Sequence, residues 1–157
     1  MVKIIRGERV GKQGRLAIGC SAAVFDDQNQ ILLIRRADNG LWAVPGGYME
    51  AGESLTEACA REVLEETGLR IQVQRLISVY TNPHLLLKYS DGNRWQLTIL
   101  HFAAKSLSGE LTTGNETLDV RFFAQGEIQG LKMRSIDQLR IADAFTNQEI
   151  TFIREEF

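Results

Sequence analysis

Short apolar runs alternate with polar turn segments along most of the chain, and they predict a protein rich in β-strands. Residues 17–25 and 31–36 are apolar runs on either side of the polar sequence DDQNQ, so we expect these two strands to form a hairpin. The same signals predict strands at residues 71–81 and 117–124, and a second hairpin around the turn SDGN, with strands at 85–90 and 94–104.

Two segments have helical periodicity. The first runs from Ser54 to Gly68. Ser54 is a favourable N-cap residue, Glu57 three positions later completes a capping box, and Gly68 suits the left-handed conformation that often ends a helix. The second helix is predicted over residues 135–148, with Ser135 as its N-cap.

The order of these elements predicts the fold class. Hairpins, a helix, further strands and a final helix favour an α/β (α+β) domain, in which a mixed β-sheet is sandwiched between helices. A chain of 157 residues is expected to form a single domain, here residues 1–157. Residues 1–16 give no clear signal for either kind of element.

Composition and charge exclude several classes of partner. Apolar residues make up 44% of the chain, charged residues 24%, and the formal net charge is -2. This balance argues against a nucleic-acid polymer or a membrane surface as partner, and no apolar stretch is long enough for a transmembrane helix. The two cysteines, Cys20 and Cys59, lack metal-site spacing, so we expect reduced, packed thiols in a cytoplasmic protein.

Three like charges crowd together on the first predicted helix. On a helical wheel Glu65 and Glu66 flank Glu62, whereas Val63 and Leu64 lie on the side where a core would be. No lysine or arginine lies in the middle of this carboxylate face, and a hard divalent cation such as Mg²⁺ would relieve the repulsion. A solvated charged face is the alternative interpretation. The glycine-rich loop before the helix favours a binding site.

The segment that contains this helix resembles the signature box of the Nudix hydrolase family. The family pattern is Gly, five residues, Glu, seven residues, Arg-Glu, an aliphatic residue, any residue, Glu-Glu, any residue, Gly and an aliphatic residue. Every defined position is matched, by Gly47, Glu53, Arg61, Glu62, Val63, Glu65, Glu66, Gly68 and Leu69. The resemblance implies a Nudix fold and metal-dependent hydrolysis of a nucleoside diphosphate linked to another moiety.

The resemblance also implies a cofactor and its ligands. The expected cofactor is Mg²⁺ or Mn²⁺, which would neutralise phosphate oxygens and acidify a water molecule. Glu62, Glu65 and Glu66 are the expected metal ligands and catalytic carboxylates, and the carbonyl of Gly46 is an additional ligand that the family implies. Glu53 either ligates the metal or only braces Arg61.

Two further residues complete the expected catalytic set. We interpret Arg61 as structural, oriented toward the box carboxylates. The general base in this family is a box glutamate or a carboxylate from a later loop, and Glu116 in the sequence TTGNETLDV is the later candidate. A plain loop acid is the alternative interpretation of Glu116.

Substrate-binding residues are inferred from position alone. Gly46 and Gly47 bring the backbone close to the carboxylates, so we expect the small-molecule nucleotide substrate to contact them. Arg35 and Arg36 end the strand before the glycine loop, and strand alternation puts only one of them on a given face. Tyr80 is a candidate for stacking on the base, with a core position as the alternative.

The sequence leaves other functions open. The first alternative is a catalytically silent Nudix module that binds a nucleotide, although such a module would be expected to lose box glutamates. The second is an isomerase of the same fold, for which the core-facing Cys59 is unsuited. Candidate substrates include oxidised or ordinary nucleoside triphosphates, ADP-ribose, nucleotide sugars and dinucleoside polyphosphates. A homodimer is also possible.

Overall fold

The computed structural model describes residues 2–157. The strands are β1 (Lys3–Arg6), β2 (Arg15–Val24), β3 (Ile31–Arg36), β4 (Trp42–Ala43), β5 (Gly46–Tyr48), β6 (Leu69–Thr81), β7 (Leu85–Lys88), β8 (Arg94–Gly109), β9 (Thr117–Phe123) and β10 (Phe152–Arg154). The helices are α1 (Leu55–Thr67), α2 (Gln125–Ile128) and α3 (Ser135–Phe145), and a 3-10 turn covers Val10–Gln13. Within the first sixteen residues, which gave no sequence signal, residues 2–16 therefore supply an edge strand, this turn and the start of β2.

The long strand β8 is the centre of a seven-stranded mixed sheet. One of its edges pairs in parallel with β2, and its other edge pairs antiparallel with β7 and then with β6. The sheet is extended by β5 beside β2, by β1 beside β7, and by β10, which runs parallel to β6. The predicted hairpin around SDGN is confirmed, because Leu87 pairs with Trp95 and Lys88 with Arg94.

The predicted hairpin of residues 17–25 and 31–36 is wrong. Its tip is formed, since Asp26 accepts backbone hydrogen bonds from Gln28 and Gln30 and a single bridge joins Phe25 to Ile31. Beyond that bridge the two strands separate. β2 stays in the large sheet, whereas β3 enters a second sheet of three strands between β4 and β9. A local turn therefore reverses the chain without pairing its arms.

Helix α1 has both of the predicted ends. The side chain of Ser54 accepts a hydrogen bond from the backbone of Glu57, and the Glu57 carboxylate accepts one from the backbone of Ser54. A cap of this kind contributes about 1 kcal/mol to stability. Gly68 has a φ of 76°, where a side chain would be strained, and its N–H closes the last turn on Leu64.

Helix α3 differs from its prediction at both ends. Ser135 is the first helical residue, and Arg134 holds the N-cap position without a side-chain hydrogen bond to the backbone. The helix ends at Phe145 rather than at residue 148, and Asn147 follows with a φ of 50°. That left-handed residue turns the chain away toward β10.

Two apolar clusters hold the layers together. Helix α1 packs through Ala58, Cys59 and Val63 against the face of the large sheet that carries Cys20 and Phe102. On the other side, α3 packs through Ile141 and Ala144, in the cluster that includes Ile77 and Phe123. The sheets thus lie between helices, which confirms the predicted α+β class. No helix among residues 2–157 is both long and apolar enough to cross a membrane.

One histidine is enclosed between the large sheet and α3. His101 on β8 is completely buried, and its Nδ1 lies 2.8 Å from the hydroxyl oxygen of Ser21. Burial, with the nearby charge of Arg140 as a second cause, lowers the pKa of His101 to about 3. The ring is therefore neutral in the folded protein at neutral pH.

This burial predicts a loss of stability in acid. Between the ordinary pKa of histidine near 6.5 and its folded pKa of about 3, the unfolded chain takes up a proton that the folded chain refuses. The free energy of unfolding therefore falls as pH decreases through this window, by about 1.4 kcal/mol per pH unit. Urea unfolding at pH 7.5 and 4.5 should show that His101→Gln, which cannot protonate, loses roughly 2–3 kcal/mol less than the wild type. Equal losses in both proteins would contradict this account.

Candidate active site

The predicted glycine loop lies directly against the carboxylate face of α1. The backbone N–H of Gly46 donates a 2.8 Å hydrogen bond to Oε2 of Glu66. A Cβ on Gly47 would lie 2.4 Å from the carboxyl carbon of Glu62, and a Cβ on Gly46 would lie 2.2 Å from the carbonyl oxygen of Cys20. Only glycine allows β5 to approach both the helix and β2 this closely.

Arg61 connects this loop to the helix. Its Nε and Nη2 bind the two carboxylate oxygens of Glu53 at 2.6 and 3.0 Å, and its Nη1 lies 2.9 Å from Oε1 of Glu62. The Nη2 group also donates to the carbonyl of Tyr48 at 3.0 Å. The wheel left the middle of the carboxylate face without a cation, but Arg61, interpreted as oriented toward the box carboxylates, contacts that face: its Nη1 reaches both Glu62 and, at 3.5 Å, Glu65. A long side chain beside the face can bend onto it.

The three carboxylates of the face differ in exposure. Glu66 is only 7% exposed, Glu62 is half-buried, and the Glu65 side chain is 59% exposed. Burial raises the pKa of Glu66 to about 7, with further contributions from the charges of Glu62 and Glu116. Burial also raises the pKa of Glu62, and Glu65 and Glu116 add to this effect. In contrast, Arg61 lowers the pKa of Glu53 to about 2. The single guanidinium of Arg61 thus offsets only part of the negative charge of Glu62 and Glu66, and we call these two carboxylates undercompensated.

The loop before β9 brings Glu116 to the same region. Gly114 packs so closely on the end of α1 that a Cβ there would lie 2.1 Å from the carbonyl oxygen of Glu65. The carbonyl of Glu116 accepts a hydrogen bond from the backbone of Ala37, while its side chain is exposed. Its charge contributes to the raised pKa values of Glu62 and Glu66, so the loop brings the predicted later carboxylate into the neighbourhood of the box.

A cleft of about 320 Å³ opens beside the glycine loop, between the large sheet and the start of α3. Gly46, Gly47 and Arg36 line its box end. Arg36 is held there by Asp38, with Nε 3.0 Å from Oδ1. Arg35 points the other way, is exposed, and donates to the carbonyl of Gly40 at 3.1 Å. Strand alternation therefore assigns Arg36 to the cleft and removes Arg35 from the candidate substrate contacts.

Tyr80 is not at the cleft, and its prediction as a substrate contact needs correction. The side chain is completely buried, and its hydroxyl donates to Oδ2 of Asp143 at 2.7 Å. Asp143 also binds Nη2 of Arg154 at 2.6 Å. Tyr80 therefore joins β6 to α3 and β10 in the core. The aromatic side chains that do line the cleft, Tyr48, Tyr89 and Phe157, were missed.

Most of the chain is similar to proteins of one known family. The model of the NUDIX domain matches residues 15–151. The chain belongs to the NUDIX family. An ADP-ribose pyrophosphatase of Methanocaldococcus jannaschii is 36% identical over 127 residues, which cover 77% of this chain and 71% of that protein. A MutT-like protein of Streptomyces ambofaciens is 33% identical over 128 residues, covering 82% and 76%.

A solved structure supports the same assignment. The crystal structure of a NUDIX hydrolase from Nitrosomonas europaea has a TM-score of 0.73 and 26% identity, and the match covers 90% of this chain and 80% of that one. The predicted Nudix fold is therefore confirmed. So is the enzyme class: this Nudix chain is a hydrolase that acts on phosphoanhydride bonds.

The Nudix box has the right chemistry for a divalent metal but no preformed cage. Among residues 2–157, no group of three or more His, Cys, Asp or Glu side chains is close enough together to hold an ion alone. Glu62 is partly engaged by Arg61, and Glu66 by the N–H of Gly46. Mg²⁺ needs only one or two carboxylates when waters and substrate phosphates complete its shell. The undercompensated pair Glu62 and Glu66 fits that requirement.

Two basic residues of the cleft were also missed by the sequence reading. Arg134 and Arg140 lie at the start of α3 and within it, and both line the cleft. They are separated from the box by more than 60 residues of sequence, so no local spacing connects them with it. The helical period places Arg140 on a face shared with Asp137, a signal that was readable but not specific.

Gly47 offers a test of the close approach between loop and helix. In Gly47→Ala the new methyl would displace the carboxylate of Glu62, which is the movable end of a flexible side chain. We expect the fold to survive and the turnover of nucleotide substrates with Mg²⁺ to fall by about 10- to 100-fold. Gly126→Ala in α2 is the matched control, since a Cβ there meets nothing within 4 Å. Full activity in Gly47→Ala, at an unchanged melting temperature, would contradict the proposed importance of the Glu62 position.

Proposed function

We propose that this Nudix chain is a metal-dependent pyrophosphohydrolase, which cleaves a nucleoside diphosphate linked to another moiety by water attack on phosphorus. The observation that carries the proposal is the position of the half-buried Glu62 and the buried Glu66 against the glycine loop, whose residues Gly46 and Gly47 line a cleft together with Arg36. Two carboxylates whose pKa values are raised by burial and mutual repulsion gain stability from a cation. A pyrophosphate group would bring further negative charge to that cation and to Arg36.

The chain's own groups account for metal binding. Glu62, Glu65 and Glu66 would hold Mg²⁺ or Mn²⁺, together with the carbonyl of Gly46. When bound, the ion supplies neutralisation of the phosphate charge and a more acidic water. Glu65 is exposed and free to move, whereas Glu66 is fixed by the N–H of Gly46. We therefore assign Glu66 the role of fixed ligand and Glu65 that of adaptable ligand.

Orientation and substrate binding fall to the arginines. Glu53 uses both of its oxygens on Arg61, so we assign it to bracing that residue rather than to the metal. Arg61 in turn holds Glu62 and the Tyr48 carbonyl and fixes the loop against the helix. Arg36 would bind a phosphate oxygen and hold the pyrophosphate in line with the attacking water.

Hydrolysis also requires a base. The water oxygen forms a bond to phosphorus, the bridging P–O bond breaks, and the bridging oxygen leaves with the departing phosphate group. The proton of the water passes to a carboxylate, for which Glu116 and the box glutamates are the candidates. Glu116 is exposed and lies on a separate loop, and its charge acts on Glu66, which suits a base that does not also hold the metal.

The candidate substrates have different names but share one kind of scissile bond, a phosphoanhydride in a nucleoside diphosphate compound. The Methanocaldococcus jannaschii relative is named an ADP-ribose pyrophosphatase, which supports a nucleoside diphosphate compound as the substrate. Nucleoside triphosphates, nucleotide sugars and dinucleoside polyphosphates share the scissile linkage. A homodimer and a cytoplasmic location stay predictions from the sequence.

The proposal predicts metal-dependent turnover that a single neutralised carboxylate removes. Phosphate release, coupled through a phosphatase or pyrophosphatase, would be measured for one compound of each of the four substrate classes, with and without Mg²⁺. For the wild type we expect turnover of at least one class only when the metal is present. Glu66→Gln keeps an oxygen for the N–H of Gly46 but loses the charge, so kcat should fall by about 100-fold or more.

The control variant is Glu149→Gln, which removes one charge from an exposed residue far along the chain from the box. It should retain wild-type turnover. Hydrolysis by the wild type that persists in a chelator would overturn the metal-dependent mechanism. No turnover of any class, with nucleotide binding still measurable, would instead indicate the catalytically silent module.

A further inference from the structure

The two side chains of the cleft that carry a carboxylate or amide oxygen, Asp38 and Asn82, already use those oxygens within the protein. Asp38 uses one carboxylate oxygen on Nε of Arg36 at 3.0 Å and the other on Nη2 at 3.3 Å. In Asn82, the side-chain oxygen accepts from the backbone of His84 at 2.9 Å, and the amide nitrogen donates to the carbonyl of Phe157 at 3.4 Å. The acceptors on these two side chains are therefore already engaged.

The hydroxyl groups of the two tyrosines in the cleft also have hydrogen-bond partners within the protein. The hydroxyl groups of Tyr48 and Tyr89 form a short hydrogen bond with each other, between β5 and the turn that follows β7. Each hydroxyl thus has a protein partner.

Hydrogen-bond donors, in contrast, remain available. Arg140 lines the cleft with a side chain that is 12% exposed, and its Nη2 binds Oδ1 of Asp137 at 2.6 Å. Its Nε is buried, with no hydrogen-bond partner among the described residues, so the terminal nitrogens are the part of the guanidinium that can reach a ligand. Asp137 is itself buried, so the guanidinium is held in one place. Arg134 also lines the cleft, with its charge close to Asp38 and Tyr48.

The floor beside Arg140 suits a flat aromatic group. Gly19 leaves it without a side chain, and a Cβ there would make only ordinary contacts, at 3.5 Å to Leu97 and 3.7 Å to Ile99. Leu85 and Leu87 continue the apolar wall. An apolar slot with a fixed donor at one end is the kind of site that orients a heterocycle by its polar edge.

We propose that Arg140 makes the cleft selective for nucleobases that carry a carbonyl group, such as hypoxanthine, guanine and uracil, over those that carry an amino group there, such as adenine and cytosine. The inference rests on the proposed function and names the base that the same site prefers. A carbonyl oxygen accepts from the guanidinium, whereas an amino group would place one donor against another. A buried donor left unpaired in this way costs binding free energy.

Matched nucleotide pairs test this directly. ATP and ITP differ at position 6 of the purine, where an amino group replaces a carbonyl, and CTP and UTP differ in the same way at position 4. With Mg²⁺ present, kcat/KM should be about 10- to 100-fold higher for ITP than for ATP, and for UTP than for CTP. Equal values within each pair, or a preference for the amino bases, would overturn the proposal.

Variants of Arg140 assign the preference to its side chain. Arg140→Met keeps an apolar stem and loses the donors, so ITP should fall to the level of ATP through a higher KM. Because this variant leaves Asp137 buried without its partner, the double variant Asp137→Asn/Arg140→Met is measured alongside it. Arg70→Met, on an exposed position of β6, is the control and should keep the wild-type preference. An equal loss for ITP and ATP would show that Arg140 binds phosphate and would overturn the proposal.

Binding separates this inference from the proposed function. Calorimetric titration with IDP and ADP measures the same preference without turnover. Tighter binding of IDP in a protein that hydrolyses nothing would support the base preference and refute the hydrolase mechanism. Turnover together with equal binding of IDP and ADP would support the hydrolase mechanism and refute the base preference. If neither nucleotide binds, both proposals are refuted.

Discussion

The structure depends on how one guanidinium is shared among several negative groups. Arg61 binds Glu53 through two nitrogens, reaches Glu62 with a third contact, and holds the carbonyl of Tyr48. This fixes the glycine loop on the helix, but it does not neutralise the face. Glu66, the most buried of the three carboxylates, has only the N–H of Gly46 and the distant charge of Arg36 to offset its burial. The protein's own cations therefore leave the charged form of Glu66 undercompensated, and a bound divalent cation would stabilise that form.

The rest of the fold builds the cleft that lies beside the glycine loop and these carboxylates. The parallel pairing of β2 with β8 sets Gly19 beside Ile99. Because Gly19 has no side chain, the bottom of the cleft stays open at this point next to the glycine loop. The second sheet carries Arg36 to the cleft beside the glycine loop, and α3 carries Arg140 to it. The basic and the apolar parts of the cleft thus come from different layers of the fold.

The sequence predicts those parts of the molecule whose causes are local. Helix α1 was predicted at both ends because Ser54, Glu57 and Gly68 act on residues within one turn of them. The hairpin of β2 and β3 was predicted wrongly because the turn residues specify a reversal of the chain and not the sheet that each arm joins. The sheet that β2 or β3 joins is decided by pairing partners that lie far along the chain, β8 for β2 and β9 for β3.

The same distinction applies to the site. The spacing of the box identifies the carboxylates, and alternation along β3 narrows two arginines to one. The prediction for Tyr80 was wrong because the sequence pattern of a strand does not show whether a tyrosine on it faces a cleft or, as here, a buried partner such as Asp143. Helical spacing relates Arg140 to Asp137 but does not place it in the cleft, because that position depends on how α3 packs against the large sheet.

The most direct test of the central claim is the binding of Mn²⁺ in the absence of nucleotide, followed through the electron paramagnetic resonance signal of the free ion. If the undercompensated carboxylates form the metal site, the wild type binds Mn²⁺, and Glu62→Gln and Glu66→Gln each weaken the binding by about tenfold or more. If both variants bind Mn²⁺ as tightly as the wild type, the crowded carboxylates do not form the metal site.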